Sequence, residues 1–345
     1  MRWRKLLWLL LPVVLVLSLT GCGTFMANRM TQAPNTYPTW FAPKSPVLLD
    51  YDPKFLTNFP RQFVAVGPPA AQLCYRIIEP ADYHLTVSTT NWLEDGDKRT
   101  QFNFRGDVPG RTNLWTSNPR GTVILLHGYA LAQFSMVPWA LRLAQDGWQC
   151  VLVDLRGHGK STGPQIYYGL QEVKDLSQLL DELARDGRLK TPVAVMGESY
   201  GAAVALRWKT VEPRVQSVVA IAPYAGLSNA VMNLRQAYAS WMPKAFIKAG
   251  LKQLPVVLKT NAVELDTTTK LASYSVQAYF VAGAEDKIAP VAEVNKLYAL
   301  ASPGSKLIVM PGATHESVTY YMDELVPPVL AWLSGAPSNT TGNSR

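Results

Sequence analysis

The amino-acid sequence predicts an α/β fold in which a mostly parallel sheet is covered by helices on both faces. From Thr122 onward, short apolar runs alternate with stretches of helical period, the pattern of a parallel sheet buried on both sides. Two amphipathic stretches, Asp175–Gly187 and Val291–Ala301, have the length and spacing of helices. The predicted strands are TVILLHG, CVLVDL, VAVMGES, VVAIAP, AYFVAG and KLIVMPG.

A lone serine, Ser199, lies where one of these strands passes into a helix, in the pentapeptide GESYG (Gly197–Gly201). A chain that reverses directly from strand to helix places the apex residue in a strained conformation with its side chain exposed. Glycines on both sides remove clashes at such a turn, and the helix N-terminus offers backbone N–H groups to a developing anion. The pentapeptide alone is equally compatible with an ordinary Gly/Ser turn.

Candidate partners for the serine follow two later strands. A serine hydroxyl becomes nucleophilic only when a base removes its proton and an acid orients that base. The chain has four histidines, and His315 is the one that follows the strand KLIVMPG. The acid pair Glu285 and Asp286 follows the strand AYFVAG. The carboxyl ends of strands are where open α/β sheets place their sites.

Five motifs occur in order along the chain: LLHGYA, DLRGHGKS, GESYG, GAEDKIAP and GATHE. Together they resemble the α/β-hydrolase family, and more narrowly its branch of monoacylglycerol-lipase-like and serine-aminopeptidase-like hydrolases. The resemblance extends over roughly residues 95–335. It implies Ser199 as nucleophile, His315 as general base and Asp286 as the orienting acid. The family pattern favours Asp286 over the neighbouring Glu285.

The resemblance also implies an oxyanion hole formed by the backbone N–H groups of Tyr200 and Tyr129. It gives His127 and His158 a mainly structural role in turns, and we expect His84, in an alternating run, to lie at the surface. The sequence has no P-loop, dinucleotide fingerprint or metal-ligand spacing. We therefore expect no cofactor and no metal ion.

The segment of roughly residues 226–274, between two predicted strands, is too long for a plain crossover. In this branch of the family, an insertion at this point forms a cap over the catalytic serine. The segment is rich in methionine and aromatic residues, which favour an apolar acyl or aromatic group in the pocket. This short helical cap makes ester or lipid substrates the expected class.

The N-terminus carries three basic residues, a long apolar run and then Leu-Thr-Gly-Cys, which ends at Cys22. This order is typical of an export signal, and a signal anchor that stays in the membrane is the alternative. Leu19–Cys22 resembles the lipobox of bacterial lipoproteins, which implies that Cys22 carries the lipid. Gly23, in place of an aspartate, favours the periplasmic face of the outer membrane. We therefore expect a lipid-anchored protein of the bacterial cell envelope.

These features divide the chain into a signal peptide (1–21), a lipidated cysteine with a proline-rich extended tether (22–60), a hydrolase domain (61–335) and a disordered tail (336–345). Prolines break helices and central strands, which favours an extended tether. Residues 61–120 have the pattern of strands and turns, and we expect Thr100–Gly106 to match the opening antiparallel strands of the family. In the envelope, Cys74 and Cys150 are expected to be free, a disulfide between them being the alternative.

The formal net charge of the chain is +8, and it falls to +5 when Arg2, Arg4 and Lys5 leave with the signal. A mildly basic protein is compatible with contact to anionic lipid. No cluster of Lys and Arg indicates a nucleic-acid partner.

The sequence therefore predicts a serine hydrolase that cleaves carboxylic ester or lipid ester bonds through an acyl-enzyme. Its expected partners are a small-molecule ester or lipid substrate and, through the anchor, a membrane. A peptidase of the proline-iminopeptidase type and a thioesterase are the alternative enzymes. A lipid-anchored binding protein that keeps the fold without the chemistry is a further alternative.

Overall fold

The computed structural model describes residues 21–37, 47–50, 53–94, 97–106 and 118–335. The strands are β1 (Val47–Asp50), β2 (Gln62–Val66), β3 (Ala71–Ile78), β4 (Thr86–Glu94), β5 (Asp97–Arg105), β6 (Thr122–Leu126), β7 (Gln149–Val153), β8 (Val193–Glu198), β9 (Val215–Ile221), β10 (Tyr279–Gly283) and β11 (Lys306–Met310). The helices are α1 (residues 21–31), α2 (Val137–Gln145), α3 (Glu172–Arg185), α4 (Tyr200–Lys209), α5 (Leu227–Tyr238), α6 (Lys244–Val257), α7 (Thr267–Ser273), α8 (Val291–Leu300) and α9 (Met322–Leu333).

Eight strands form the central sheet, in the order β11-β10-β9-β8-β6-β7-β3-β2. Neighbours from β11 to β7 pair in parallel, whereas β3 and β2 form an antiparallel edge. Alternate residues of β6 enter two different cores: Val123 and Leu125 pack on the side of α2 and α9, and Ile124 on the side of α3 and α4. Burial of both faces explains the continuous apolar strand runs. The predicted α/β class is confirmed.

The prediction that Thr100–Gly106 matches the opening antiparallel strands of the family is wrong. This stretch belongs to β5, which pairs with β4 and β1 in a separate sheet of three strands, and the antiparallel edge of the main sheet is made by β2 and β3. In β5 only alternate residues are apolar, and Phe102 and Phe104 are buried against Tyr320. A strand with one apolar face suits a sheet that is covered on one side.

The extended tether predicted for residues 22–60 is also wrong where the structure describes it. Residues 21–31 form helix α1, whose Ala27 is fully buried and whose Met30 is 7% exposed. The chain that follows is bonded to the hydrolase domain, because Ala33 N–H donates to Pro164 O at 3.1 Å and Ile166 N–H to Thr31 O at 2.7 Å. The first proline after Cys22 is Pro34, so the stretch before it is free to form a helix with an apolar face.

The insertion predicted over residues 226–274 contains α5, α6 and α7. Helices α5 and α6 pack with part of α1 in a third apolar cluster, which includes Leu227, Ile247 and Met30. In the part of the chain that the structure describes, no helix has the length and apolar character needed to cross a membrane. Residues 1–20 of the predicted signal peptide (1–21) and the predicted tail (336–345) lie outside the described residues.

Candidate active site

The structure places Ser199 at a sharp turn between β8 and α4, with φ 49° and ψ −107°. This positive φ is a strained conformation for a residue with a side chain. A Cβ on Gly197 would lie 2.2 Å from Gly201 O, and one on Gly201 would lie 2.4 Å from Leu126 O. Both glycines are therefore required by the close approach of backbone to backbone, and the turn is the strained one predicted from GESYG.

His315 and Asp286 meet Ser199 at the carboxyl ends of the strands. The Ser199 hydroxyl lies 2.8 Å from His315 Nε2, and His315 Nδ1 lies 2.7 Å from Asp286 Oδ2. The Asp286 side chain is fully buried, and its other oxygen accepts the N–H groups of Ile288 at 2.8 Å and Ala289 at 2.7 Å. These bonds fix the carboxylate, which accepts the Nδ1 proton and leaves Nε2 as the acceptor for the serine hydroxyl.

The neighbouring Glu285 is exposed, and its backbone N–H donates to Ala313 O at 2.9 Å. The structure therefore brings Asp286 to the histidine and leaves Glu285 facing solvent.

The ionisation of His315 is set by opposing effects. Burial lowers its pKa, but the hydrogen bond and the negative charge of Asp286 outweigh burial, helped by Glu316 and Glu198, so the pKa lies above its ordinary value. The arrangement therefore favours an imidazolium at this position, which is the state that a general base reaches when it has taken a proton.

The two backbone groups predicted for an oxyanion hole belong to two segments that adjoin Ser199. Tyr200 is the first residue of α4, so its N–H is at the positive end of the helix. The loop of Tyr129 passes beside the serine, because a Cβ on Gly128 would lie 3.8 Å from Ser199 Cβ. Within the described residues, neither the Tyr200 nor the Tyr129 backbone N–H donates a hydrogen bond. Both donors are thus available to a ligand.

His127 and His158 are fully buried. His127 Nε2 accepts the N–H of Leu155 at 3.0 Å, and His158 Nδ1 lies 3.0 Å from Arg156 O. Burial lowers the pKa of His127 to about 4 and that of His158 to about 3, so both are neutral near pH 7. Their bonds hold neighbouring loops. His84 is exposed, as predicted, and lies 2.8 Å from Asp82.

Sequence reasoning missed Glu198, the second residue of the pentapeptide. Its side chain is 4% exposed, and its Oε2 has no hydrogen-bond partner among the described residues. Burial raises its pKa to about 7, while the charge of His315 opposes that rise. The sequence shows only that a carboxylate precedes the serine. The structure shows that this carboxylate is buried near His315.

Two further contacts tie distant segments to the site. The Tyr238 hydroxyl of cap helix α5 donates to Glu316, the residue after His315. The Tyr37 and Tyr129 hydroxyls lie 2.9 Å apart, so the N-terminal segment reaches the proposed oxyanion loop. Sequence reasoning missed Tyr37 because it placed the residue in a free tether.

Cys74 and Cys150 are both free and buried, on β3 and β7. The alternative of a disulfide between them is wrong for this structure. Burial raises the pKa of both thiols, which keeps them protonated.

The sheet topology and the order of the site loops define the α/β-hydrolase fold, and similar solved structures support this assignment. The esterase Pf2001 of Pyrococcus furiosus has a TM-score of 0.59 at 21% identity, over 86% of this chain and 100% of that protein. A hydrolase from Pseudomonas aeruginosa has a TM-score of 0.53 at 18% identity, over 79% of this chain and 98% of its own. At these identities the likeness concerns the fold alone.

Residues 117–269 match the family model described as serine aminopeptidase, S33. Among curated proteins, a monoacylglycerol lipase of Mycolicibacterium smegmatis is 30% identical over 100 residues, and the uncharacterized protein YqkD of Bacillus subtilis is 29% identical over 85 residues. The matches cover 27% and 25% of this chain and 34% and 28% of those relatives. The resemblance predicted from the five motifs is confirmed, whereas the chain spans only about a third of the length of these relatives.

Proposed function

We propose that the protein is a serine hydrolase that cleaves carboxylic esters through Ser199, His315 and Asp286. The observation that carries the proposal is the continuous relay of hydrogen bonds, 2.8 Å from Ser199 Oγ to His315 Nε2 and 2.7 Å from His315 Nδ1 to Asp286. A relay of hydrogen bonds in this order activates a hydroxyl for acyl transfer. The fold and the family match support the coarser assignment, a hydrolase of esterase or lipase type.

The chemistry follows from this geometry. Ser199 Oγ attacks the ester carbonyl while its proton passes to His315 Nε2, and the resulting oxyanion accepts the N–H groups of Tyr200 and Tyr129. The C–O bond to the leaving group then breaks, and the departing oxygen takes the proton from Nε2 and leaves as an alcohol. Water repeats the sequence on the acyl-serine, which releases the carboxylic acid and restores Ser199.

The charge of the cap favours esters over free amino-terminal peptides. Between Gly226 and Tyr274 there are six Lys and Arg residues, against the two acids Glu264 and Asp266. A free α-amino group is positively charged near pH 7, so a basic cap disfavours its approach. Two observations favour the aminopeptidase alternative: the description of the matched family model, and Glu316 beside His315, whose carboxylate already accepts a hydrogen bond from Tyr238.

A substrate panel tests the proposal. We expect hydrolysis of p-nitrophenyl esters, with turnover that depends on acyl length and exceeds turnover of aminoacyl p-nitroanilides and acyl thioesters. The Ser199→Ala variant is expected to lose at least about four orders of magnitude in kcat. Preferred cleavage of the anilides would establish the peptidase, and preferred cleavage of the thioesters the thioesterase. No turnover by the folded wild type on any class would support the binding protein.

We also propose that Cys22 carries a lipid that anchors the protein in the bacterial envelope, with the periplasmic face of the outer membrane as the expected location. The Cys22 thiol is exposed at the start of α1, which is compatible with modification. In cells fed labelled palmitate, wild type and a Cys74→Ala control are expected to take up label, and Cys22→Ala is expected to lose it. Label retained by Cys22→Ala would contradict the assignment.

A further inference from the structure

The cap carries an unbalanced basic surface. Lys244, Lys248 and Lys252 recur every four residues along α6 and therefore share one face of the helix, and Lys259 follows the helix. All four are exposed, and within the described residues none of them forms an ion pair. We call these four lysines the basic cap face. A surface of exposed lysines attracts anions.

Large apolar side chains project from the same region. Trp241, three residues before the first lysine, is 75% exposed, and Val256, at the end of α6, is 70% exposed. Phe25 of α1 is 60% exposed and stacks on Phe246 of α6 with ring centroids 6.5 Å apart. Lysines with aromatic and aliphatic side chains on one surface are typical of contact with the headgroup region of a bilayer.

The first turn of α1, which contains Cys22, lies beside the basic cap face. A Cβ on Gly23 would lie 3.0 Å from Ala249 O and 3.1 Å from Gln253 Cγ, so α1 begins against α6. Ala249 and Gln253 directly follow Lys248 and Lys252 in the helix. Helix α1 is packed on the cap, so its first turn is fixed next to the basic cap face. A lipid on Cys22 would therefore hold this face near the membrane surface.

We propose that the basic cap face lies against the anionic phospholipid surface of the membrane that holds the anchor. The inference rests on the proposed lipid attachment at Cys22. The occupant is an anionic bilayer, because the surface combines uncompensated lysines, exposed Trp241 and the start of the anchored helix. Tyr238, three residues before Trp241, donates a hydrogen bond to Glu316, the residue after His315. Docking by this face therefore brings the catalytic end of the sheet towards lipid substrates in the bilayer.

Lysine footprinting on the full lipidated chain tests the contact. The protein is reconstituted into phosphatidylcholine vesicles, or into vesicles of equal parts phosphatidylcholine and phosphatidylglycerol, and labelled with a membrane-impermeant amine reagent. Peptide mass spectrometry gives the labelling rate of the cap lysines relative to the exposed Lys174 and Lys306 in the same molecules. We expect this ratio to fall severalfold in the anionic vesicles only, and high salt to restore it.

A pair of charge-matched variants separates surface contact from net charge. Lys248→Glu/Lys252→Glu and the control Lys174→Glu/Lys306→Glu change the formal charge equally. We expect the cap variant alone to lose at least about tenfold in hydrolysis of an ester embedded in anionic vesicles, with hydrolysis of soluble p-nitrophenyl esters unchanged. Equal protection of all lysines, or equal losses in both variants, would overturn the proposal. If the wild-type protein does not float with neutral vesicles, the proposed lipid anchor is contradicted. If it does not hydrolyse soluble esters, the proposed function is contradicted.

Discussion

His315 is surrounded by three carboxylates, and each has a different relation to it. Asp286 accepts its Nδ1 proton, Glu316 follows it in the chain, and Glu198 is buried beside the serine. All three raise the pKa of His315 against the effect of burial. An imidazole that must accept a proton during acyl transfer is stabilised in its charged form by such neighbours. We therefore propose that Glu198 is a positioning residue that acts through the charge of His315 in the proposed reaction.

Removal of the Glu198 charge is expected to shift the pH dependence of catalysis. The base must be neutral to accept the serine proton, so activity falls as the pH drops through the pKa of His315, which lies above its ordinary value. In Glu198→Gln a cause of that rise is gone, so the acid limb of kcat/KM against pH moves to lower pH. The exposed Glu285→Gln is the matched control. An unmoved limb, or the same movement in the control, would contradict this role.

Among the elements, the turn between β8 and α4 is the one with the least steric freedom. A Cβ added to Gly201 would lie 2.4 Å from the carbonyl oxygen of Leu126 and 2.6 Å from that of His127. A methyl group there would push α4 away from β6 and displace Ser199.

The Gly201→Ala variant is therefore expected to lose about 2 kcal/mol or more of unfolding free energy, together with most of its ester hydrolysis. Urea unfolding followed by circular dichroism measures the loss. Gly226→Ala is the control, because its added Cβ would meet only Asn229 Nδ2 at 3.9 Å. Equal stability of the two variants would show that the turn tolerates a side chain.

The sequence predicts the elements whose residues are constrained locally, and it does not predict contacts between distant segments. The strands β6 to β11 and the turn at Ser199 follow from local patterns, because burial on both faces and a strand-to-helix reversal each demand particular residues nearby. Helix α1 was not predicted, because the many prolines after residue 33 favour an extended chain for the whole segment 22–60. The burial of Glu198 and the contacts of Tyr37 and Tyr238 depend on residues far apart in the chain, and no local pattern encodes them.

At the scale of the whole molecule, two buried histidines make stability depend on pH. The pKa of His127 is lowered to about 4 and that of His158 to about 3, from an ordinary value of 6.5. Between pH 6.5 and 4 the unfolded chain therefore binds more protons at these sites than the folded chain, and acidification favours unfolding. For His127 alone the full effect is up to about 3 kcal/mol, reached below its folded pKa.

The His127→Asn variant isolates this contribution. It is expected to be less stable than wild type at pH 7, because the acceptor for the N–H of Leu155 is altered. The difference in unfolding free energy is expected to narrow as the pH falls from 6.5 towards 4, since the variant has no imidazole to protonate. Urea titrations at a series of pH values check this, with the exposed His84→Asn as control. A difference that stays constant with pH would contradict the buried neutral imidazole.

The cap contacts both the N-terminal helix α1 and the candidate active site. Helix α1 packs on α6, and α5 reaches Glu316 beside the histidine. The proposed anchor, the basic cap face and the proposed catalytic residues therefore keep fixed positions relative to one another, which a free tether would not give.

Reaction with a fluorophosphonate followed by peptide mass spectrometry tests whether Ser199 is the nucleophile. We expect a single adduct on Ser199, formed at the wild-type rate in a Ser228→Ala control, much more slowly in His315→Gln and not at all in Ser199→Ala. An adduct that persists in Ser199→Ala, or that maps to another residue of the wild type, would contradict it.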